Sequence, residues 1–132
     1  MTKREGIMFE LGYLIKPEHR SRFNRYFQEM IERDRVLIIQ SNGRTIGIIF
    51  YFLGNSVEQF DNKPTWLCPQ DNPEGHILFI DKMVCKKFNV ALKNSLYEAF
   101  VSQYPNVTEC HWLREPNNRR VIIRKKETHV YA

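Results

Sequence analysis

An apolar strand that runs directly into an amphipathic helix, at residues 76–104, constrains the fold more than any other part of this sequence. The strand spans residues 77–84, a short turn carries Lys86 and Lys87, and the helix is predicted to begin at about Asn89. The first backbone N–H groups of a helix lack a helical partner, and the helix dipole adds partial positive charge there. A strand that leads into such a helix start predicts an anion-binding site.

Residues 36–53 predict a β-hairpin. Two runs rich in β-branched and aromatic residues flank the dipeptide Asn42-Gly43. A two-residue type I′ turn needs positive φ at both central positions, and Asn-Gly adopts it readily. We therefore expect two antiparallel strands joined at this dipeptide.

The N-terminal part of the chain predicts a strand followed by a helix. Residues 6–15 are apolar enough for a first strand or the approach to one. Pro17 suits the first helical position because its missing N–H would have no helical partner there. An amphipathic helix of about four turns, ending near Asp34, is predicted next. Its apolar positions recur every three or four residues and are Phe23, Tyr26, Phe27, Met30 and Ile31.

The second half adds a loop and a further pair of strands. Residues 54–75 contain three prolines and no sustained period, so we expect a long surface loop with one short helical turn, held to the core by residues 66–68. Residues 107–114 and 119–126 predict two strands, the second of them basic and at a sheet edge. Two main helices on a mixed, mostly antiparallel sheet make an α+β or α/β fold, here as a single domain over residues 1–132.

Composition and charge narrow the class of protein. The chain is 42% hydrophobic and 27% charged, as in a globular domain. It has no run of about 18 apolar residues, and its N-terminus lacks the apolar segment of a secretory signal. Three widely spaced cysteines indicate reduced thiols and a cytoplasmic location. The net charge of +5 favours acidic partners such as nucleic acid, phosphorylated cofactors or acidic protein surfaces.

The order of elements resembles the GNAT superfamily of acyl-CoA-dependent N-acyltransferases. The resemblance rests on the hairpin at 36–53, the strand at 77–84 and the helix that follows. It implies a single GNAT-like domain that uses acetyl-CoA or another acyl-CoA as a substrate. In this family the strand opens to bind the pantetheine arm, so the resemblance implies this role for the backbone of Lys82, Met83 and Val84.

The same family binds the CoA pyrophosphate on the N-terminus of the next helix, through a glycine-rich turn. The matching residues of this chain contain no glycine, the residue that lets a backbone approach phosphate closely. The resemblance implies pyrophosphate binding by the turn and the helix start, which comprise Lys86, Lys87, Asn89, Val90 and Ala91.

A narrower resemblance is to the protein-toxin lysine acyltransferases, a divergent GNAT branch. Members have a histidine in a Pro-x-His-Arg context before the first helix and an aspartate in a Phe-Ile-Asp strand, which here are His19 and Asp81. A histidine can act as a base towards an amine or thioester, and a carboxylate can orient it. The resemblance implies a His19–Asp81 pair that serves an amine acceptor such as a protein lysine. The alternative is an exposed histidine and an aspartate paired with an arginine.

A second function remains open from the sequence. A GNAT-like protein that has lost acyl transfer would serve as a binding module. Small, loop-rich, glycine-poor versions of this kind are familiar among bacteriophage proteins, so the resemblance implies a phage origin. The basic strand at 119–126, Trp112 and the arginines of the first helix would then contact the phosphates of nucleic acid and stack its bases. The histidines are too scattered to predict a metal site. Cys110 and His111 are adjacent on a strand and so face opposite sides.

Overall fold

The computed structural model describes residue 6 and residues 11–114 and 117–125. Within these residues the chain forms five strands and three α-helices, preceded by 3-10 turns at Gly12–Leu14 and Pro17–His19. The strands are β1 (Val36–Ser41), β2 (Arg44–Gly54), β3 (Ile77–Cys85), β4 (Glu109–Arg114) and β5 (Arg119–Arg124). The helices are α1 (Arg20–Glu32), the four-residue α2 (Glu58–Asp61) and α3 (Val90–Gln103).

The five strands form one sheet in the order β1-β2-β3-β4-β5. Neighbouring strands are antiparallel except β3 and β4, which run parallel because α3 connects them. The prediction of a mixed, mostly antiparallel sheet with two main helices is confirmed, and the arrangement is α+β. The basic strand β5 lies at a sheet edge, as predicted.

The hairpin predicted at residues 36–53 is β1–β2. Asn42 has a φ of 54° and Gly43 a φ of 78°, so both central residues meet the requirement of a type I′ turn. Pairing runs from this turn as far as Phe50 of β2. The rest of β2 extends beyond β1 and needs another partner on that side.

Side chains alternate across the sheet and build a core on each face. The face covered by α1, called the α1 face, is mainly aromatic and includes Phe23, Tyr26, Phe27, Phe50, Phe52, Phe60 and Phe79. The face covered by α3, called the α3 face, is mainly aliphatic and includes Leu37, Ile39, Ile49, Leu53, Leu78, Ile80, Leu92 and Leu96. Most of β2 and the first half of β3 are therefore buried on both faces.

The first strand predicted at residues 6–15 is wrong for the part that the structure describes. Leu11 is helical and buried, and a 3-10 turn follows at Gly12–Leu14. The neighbouring Leu14 and Ile15 pack against the α1-face core, so these apolar side chains cover α1 instead of extending the sheet. Apolar composition predicts burial in either case, and a short run does not separate a strand from a packed turn. Residues 7–10 lie outside the described residues.

Both main helices match their predicted positions with small changes at the ends. The first begins as the 3-10 turn Pro17–His19 and continues as α1 to Glu32. It stops before its predicted end because Asp34 has a φ of 57°, which is incompatible with a right-handed helix. The second begins after Asn89, as predicted, and the Asn89 side chain accepts a hydrogen bond from the Leu92 N–H.

The long loop at residues 55–76 is fastened to the free edge of β2. The Asp71 carboxylate accepts a hydrogen bond of 2.8 Å from the Leu53 N–H. The same carboxylate forms a two-point ion pair with Arg35, at 2.8 and 3.3 Å. The Asn72 N–H donates to the Leu53 carbonyl at 2.9 Å, so the loop takes the place of β1 beside the end of β2.

The same loop includes α2, which is the predicted short helical turn, and it brings Trp66 onto α1. The Trp66 ring contacts Tyr26 and Phe23, with ring centroids 5.8 and 6.4 Å apart. Cys68 is buried nearby, whereas Leu67 is 51% exposed, so the predicted anchor holds for two of its three residues. The loop is thus an ordered part of the α1 face.

Candidate functional site

The sheet divides between β3 and β4. Three residue pairs join these parallel strands, from Ile77 with Glu109 to Phe79 with His111. Beyond them β3 continues beside β2 alone, and β4 continues beside β5 alone. Two strands that start together and then separate leave a wedge-shaped cleft, and the strand edges that face it have no strand partner within the described residues.

This cleft has a volume of about 890 Å³, which suits a small-molecule ligand. Five of the residues that the resemblance implies for the site line it, namely His19, Asp81, Lys82, Met83 and Val84. The other five are exposed in the turn after β3 and in the first turn of α3, and they are Lys86, Lys87, Asn89, Val90 and Ala91. The structure therefore brings five of the ten predicted residues to one cleft and leaves the other five outside its lining.

A β-bulge in β3 determines how the residues at the cleft point. Phe50 of β2 pairs with Lys82 and Tyr51 pairs with Ile80, so Asp81 is an extra residue without a partner in the register. A bulge places two successive side chains on the same side of the sheet. Asp81 and Lys82 therefore both point to the α1 face, where both contact Tyr26.

The Asp81 carboxylate has two partners, and neither is His19. The Tyr26 hydroxyl donates to it at 2.5 Å, and the Lys63 ammonium lies 3.0 Å away. The side chains of Lys63 and Asp81 are only 4% and 9% exposed, so this is a buried ion pair. Lys63 also donates to the carbonyls of Pro64 and Thr65, at 3.2 Å each, which satisfies its three N–H groups.

Burial, followed by the neighbouring Asp81 carboxylate, raises the pKa of Tyr26 well above its ordinary value. The phenol is therefore protonated near neutral pH and donates to Asp81. This hydrogen bond joins α1 to β3, and the ion pair joins the long loop to β3. The sequence predicted that Asp81 pairs with the base His19. Its observed contacts instead connect α1, β3 and the long loop.

His19 lies on the same cleft as the last residue of the 3-10 turn before α1. Its ring meets the edge of Trp66, with centroids 5.9 Å apart. The structure shows no hydrogen bond or ion pair between His19 and Asp81. The predicted pair is thus brought to one cleft without direct contact, and the partner of Asp81 is a lysine where the alternative expected an arginine.

The Lys82 ammonium lies over two aromatic rings, 4.6 Å from the centroid of Trp66 and 5.3 Å from that of Tyr26. Such cation–π contacts stabilise a charged lysine beside an apolar surface. Lys82 therefore contributes positive charge to the α1 side of the cleft. Met83 and Val84, which follow it, point to the α3 face and the α1 face respectively.

The start of α3 is open to solvent. Val90 is 72% exposed, and residues 86–91 are all exposed. The Asn89 side chain caps the Leu92 N–H at 2.9 Å, which leaves the other first-turn N–H groups for solvent or a ligand. No acidic residue lies in the first turn. The predicted anion site is therefore accessible, although one of its donors is already used.

Several residues of the cleft were not predicted as site residues. Phe88 and Trp112 meet across it, with ring centroids 5.7 Å apart. The cations Lys16, Lys93 and Arg114 also line it, so the described lining is predominantly positive. In the sequence, Phe88 stands out only because it lies in the basic turn. Its contact with Trp112 could not be predicted, because the position of β4 beside that turn depends on the tertiary structure.

A second polar cluster lies on β4 and β5, away from the cleft. His111 Nε2 lies 2.6 Å from a Glu109 carboxylate oxygen, and Arg120 donates to His111 Nδ1 at 3.3 Å. Because an arginine can only donate, Nδ1 is the acceptor and Nε2 carries the proton. The hydrogen bond from His111 holds the pKa of Glu109 below its ordinary value. Arg120 also pairs with Asp61, so this cluster fastens α2 to the sheet.

Cys85 and Cys110 are free thiols without a hydrogen-bond partner among the described residues. Burial raises the pKa of Cys110, which faces the α3 core on the side opposite to His111. Burial also raises the pKa of Cys85, at the edge of the cleft. Both thiols are thus protonated near neutral pH. Within the described residues there is no group of three histidine, cysteine or acidic side chains that could hold a metal ion.

No protein-family model matches the sequence, and a search of curated proteins finds no significant relative. Among the residues that the structure describes, no helix has the length and apolar character needed to cross a membrane.

Proposed function

We propose that this chain is a GNAT-like N-acyltransferase that binds an acyl-CoA in the cleft between β3 and β4 and transfers the acyl group to an amine. The single observation that carries the proposal is the separation of these two parallel strands shortly before α3 begins. It places an unpaired strand edge, a cleft and a helix N-terminus one after another. An extended arm with two amides, such as pantetheine, would hydrogen-bond to that edge as an added strand does.

The charge around the cleft supports a phosphorylated ligand. Lys93 and Arg114 line the cleft, and Lys86 and Lys87 are exposed in the turn between β3 and α3. The only acidic residue in the described lining is Asp81, whose charge is balanced by Lys63. A ligand with several phosphates would therefore meet attraction, supplemented by the N–H groups at the start of α3.

The transfer reaction itself needs one base. The neutral amine attacks the thioester carbonyl carbon, a C–N bond forms, the C–S bond breaks, and CoA leaves as a thiol after taking up a proton. His19 is the one histidine among the described residues that line the cleft, and its imidazole would accept the proton lost by the amine. We assign Asp81 to a positioning role, because its ion pair with Lys63 holds the loop that carries Trp66 against the cleft. A protein lysine is one acceptor of this class.

The first test is calorimetric and thermal-shift titration of the full chain with acetyl-CoA and with longer acyl-CoAs. A ligand at 100 times its dissociation constant adds about 2.7 kcal/mol to the free energy of unfolding, so we expect a clear rise in Tm. If no acyl-CoA gives either heat or a shift in Tm, the proposal is overturned.

The second arm of this test separates transfer from binding. His19→Gln should bind acyl-CoA as the unmodified chain does but release CoA thiol about a hundredfold more slowly with an amine acceptor. His76→Gln is the matched control, because His76 is exposed and does not line the cleft. Equal rates for both variants would remove the role of His19 as the base.

A binding module without acyl transfer is the second candidate, favoured by the contacts of Asp81. That carboxylate is already occupied by Tyr26 and Lys63, and the turn before α3 lacks glycine. The exposed Arg119 and Arg124 of β5 would then contact the phosphates of nucleic acid. Two results together would establish this candidate. The chain would bind single-stranded DNA or RNA with an affinity that falls steeply as salt increases, and it would not bind acyl-CoA.

A further inference from the structure

Two aromatic rings from different elements meet at the end of the cleft nearest to α3. Phe88 belongs to the turn after β3 and is 39% exposed, and Trp112 lies on β4 beyond its last pair with β3. Their planes are inclined by 66°, which leaves ring faces that do not cover each other. Aromatic rings in such a position are the surfaces on which nucleic acid bases stack.

Positive charge surrounds this aromatic pair. Lys93, one turn into α3, and Arg114, two residues after Trp112, line the same cleft. Lys86 and Lys87 immediately precede Phe88 in the exposed turn. A ligand that matches both features carries an aromatic ring and several negative charges, which describes a nucleotide.

Residues 86–91 contain no glycine, and this explains why a phosphorylated ligand would need contacts from side chains here. Side chains at every position of residues 86–91 keep a phosphate farther from the backbone than a glycine turn would. The Asn89 cap also uses one N–H group at the start of α3. Backbone donors alone therefore give weaker anion binding than an uncapped, glycine-rich helix start, and side chains must supply the remainder.

We propose that Phe88 and Trp112, with Lys93 and Arg114, form a nucleotide site that stacks the adenine ring of CoA and binds its phosphates. This inference rests on the proposed function and specifies its substrate. The acyl group arrives on a nucleotide-bearing thioester, and the affinity comes largely from the nucleotide half. Phosphopantetheine without the nucleotide, or attached to a carrier protein, is then a weak ligand.

The test compares three probes by calorimetry on the full chain: CoA, 4′-phosphopantetheine and adenosine 3′,5′-bisphosphate. We expect CoA to bind at least tenfold more tightly than 4′-phosphopantetheine, and adenosine 3′,5′-bisphosphate to bind alone and compete with CoA. Phe88→Leu and Trp112→Leu should each weaken CoA binding about tenfold, the size of one stacking contact. Both variants should leave the affinity for 4′-phosphopantetheine unchanged, and Trp112→Phe should retain most CoA affinity.

Charge variants provide the matched control. Lys93→Gln should weaken both nucleotide probes, whereas Arg22→Gln, which removes an exposed cation of α1 outside the cleft, should have no effect. Phe88→Leu keeps the test valid if Trp112→Leu is unstable, because Phe88 is partly exposed and the free energy of unfolding of each variant is measured alongside.

The outcomes separate this inference from the proposed function. Equal affinities for CoA and 4′-phosphopantetheine would overturn the nucleotide site and leave the acyltransferase proposal standing. Absence of binding by all three probes would overturn both. Single-stranded DNA that binds more tightly than adenosine 3′,5′-bisphosphate, and loses its affinity in Phe88→Leu, would overturn the inference in favour of a nucleic acid surface.

Discussion

At the scale of single residues, the surroundings of Asp81 follow from one extra residue in β3. The bulge turns its carboxylate to the α1 face, where Tyr26 and Lys63 meet it. A buried carboxylate without partners is strongly unfavourable, and two charge-assisted contacts offset that penalty. Asp81, for which the sequence motif predicts a catalytic role, therefore links α1, β3 and the long loop.

Removing the ammonium of Lys63 tests this link. Lys63→Met leaves the buried Asp81 carboxylate without its counter-charge, and we expect a loss of about 3–5 kcal/mol in the free energy of unfolding. The double variant Lys63→Met/Asp81→Asn should recover much of this loss, because the remaining amide can still accept from Tyr26. Urea denaturation measures both values.

The ion pair of Glu29 with Arg33 supplies the comparison for that experiment. Its N–O distance is 2.9 Å, close to that of the buried pair, but its side chains are 45% and 26% exposed. Glu29→Gln should therefore cost less than about 1 kcal/mol. A Lys63→Met variant as stable as Glu29→Gln would show that the buried pair does not hold the loop.

At the scale of elements, the hairpin turn is the part most strictly determined by local chemistry. Asn42 and Gly43 both have positive φ, which a β-branched or large side chain would resist. The helix start at α3 is determined in the same local way, since Asn89 is extended and caps the first turn. The register of β3 is different, because its bulge is defined only by pairing with β2.

Gly43→Ala should destabilise the protein by about 1 kcal/mol, because alanine resists the left-handed conformation of this position. No atom lies within 4 Å of a Cβ built there, so steric contact with other residues does not contribute. Gly43→Asn should have a smaller effect, since asparagine tolerates positive φ. Urea denaturation checks the pair, and equal stability of all three proteins would contradict a strained turn.

At the scale of the whole molecule, the sheet consists of two parts joined by a short seam. Most of β2 and the first half of β3 are buried on both faces, whereas the edge strand β5 has mostly half-buried side chains. Three residue pairs connect β3 to β4. The same separation that weakens this seam opens the cleft, so the candidate site and the least tightly joined region coincide.

Hydrogen exchange should reveal this division. We expect backbone amides of β2 and the first half of β3 to exchange most slowly, and those of β5 to exchange faster, because local opening needs less energy where fewer buried contacts are lost. Mass spectrometry of peptides covering each strand measures the difference. Equal protection of β2 and β5 would contradict a sheet with two unequal parts.

The positions of the helices and strands could be predicted from the sequence because they depend on neighbouring residues. The period of apolar side chains predicted α1 and α3, and Asn42-Gly43 predicted the first hairpin. The prediction of a strand at residues 6–15 was wrong because the structure of this segment depends on packing against distant residues. Its apolar side chains have a packing role against α1 that no local pattern reveals.

The sequence by itself determined an α+β or α/β chain with a basic edge strand and an open helix start at α3. Only the tertiary structure decided that β3 and β4 separate after three pairs, that Lys63 reaches Asp81, and that Phe88 meets Trp112. The physical reason is distance along the chain. Periodicity, capping and turn chemistry act over a few residues, whereas the cleft is formed by side chains that meet only when the whole sheet has assembled.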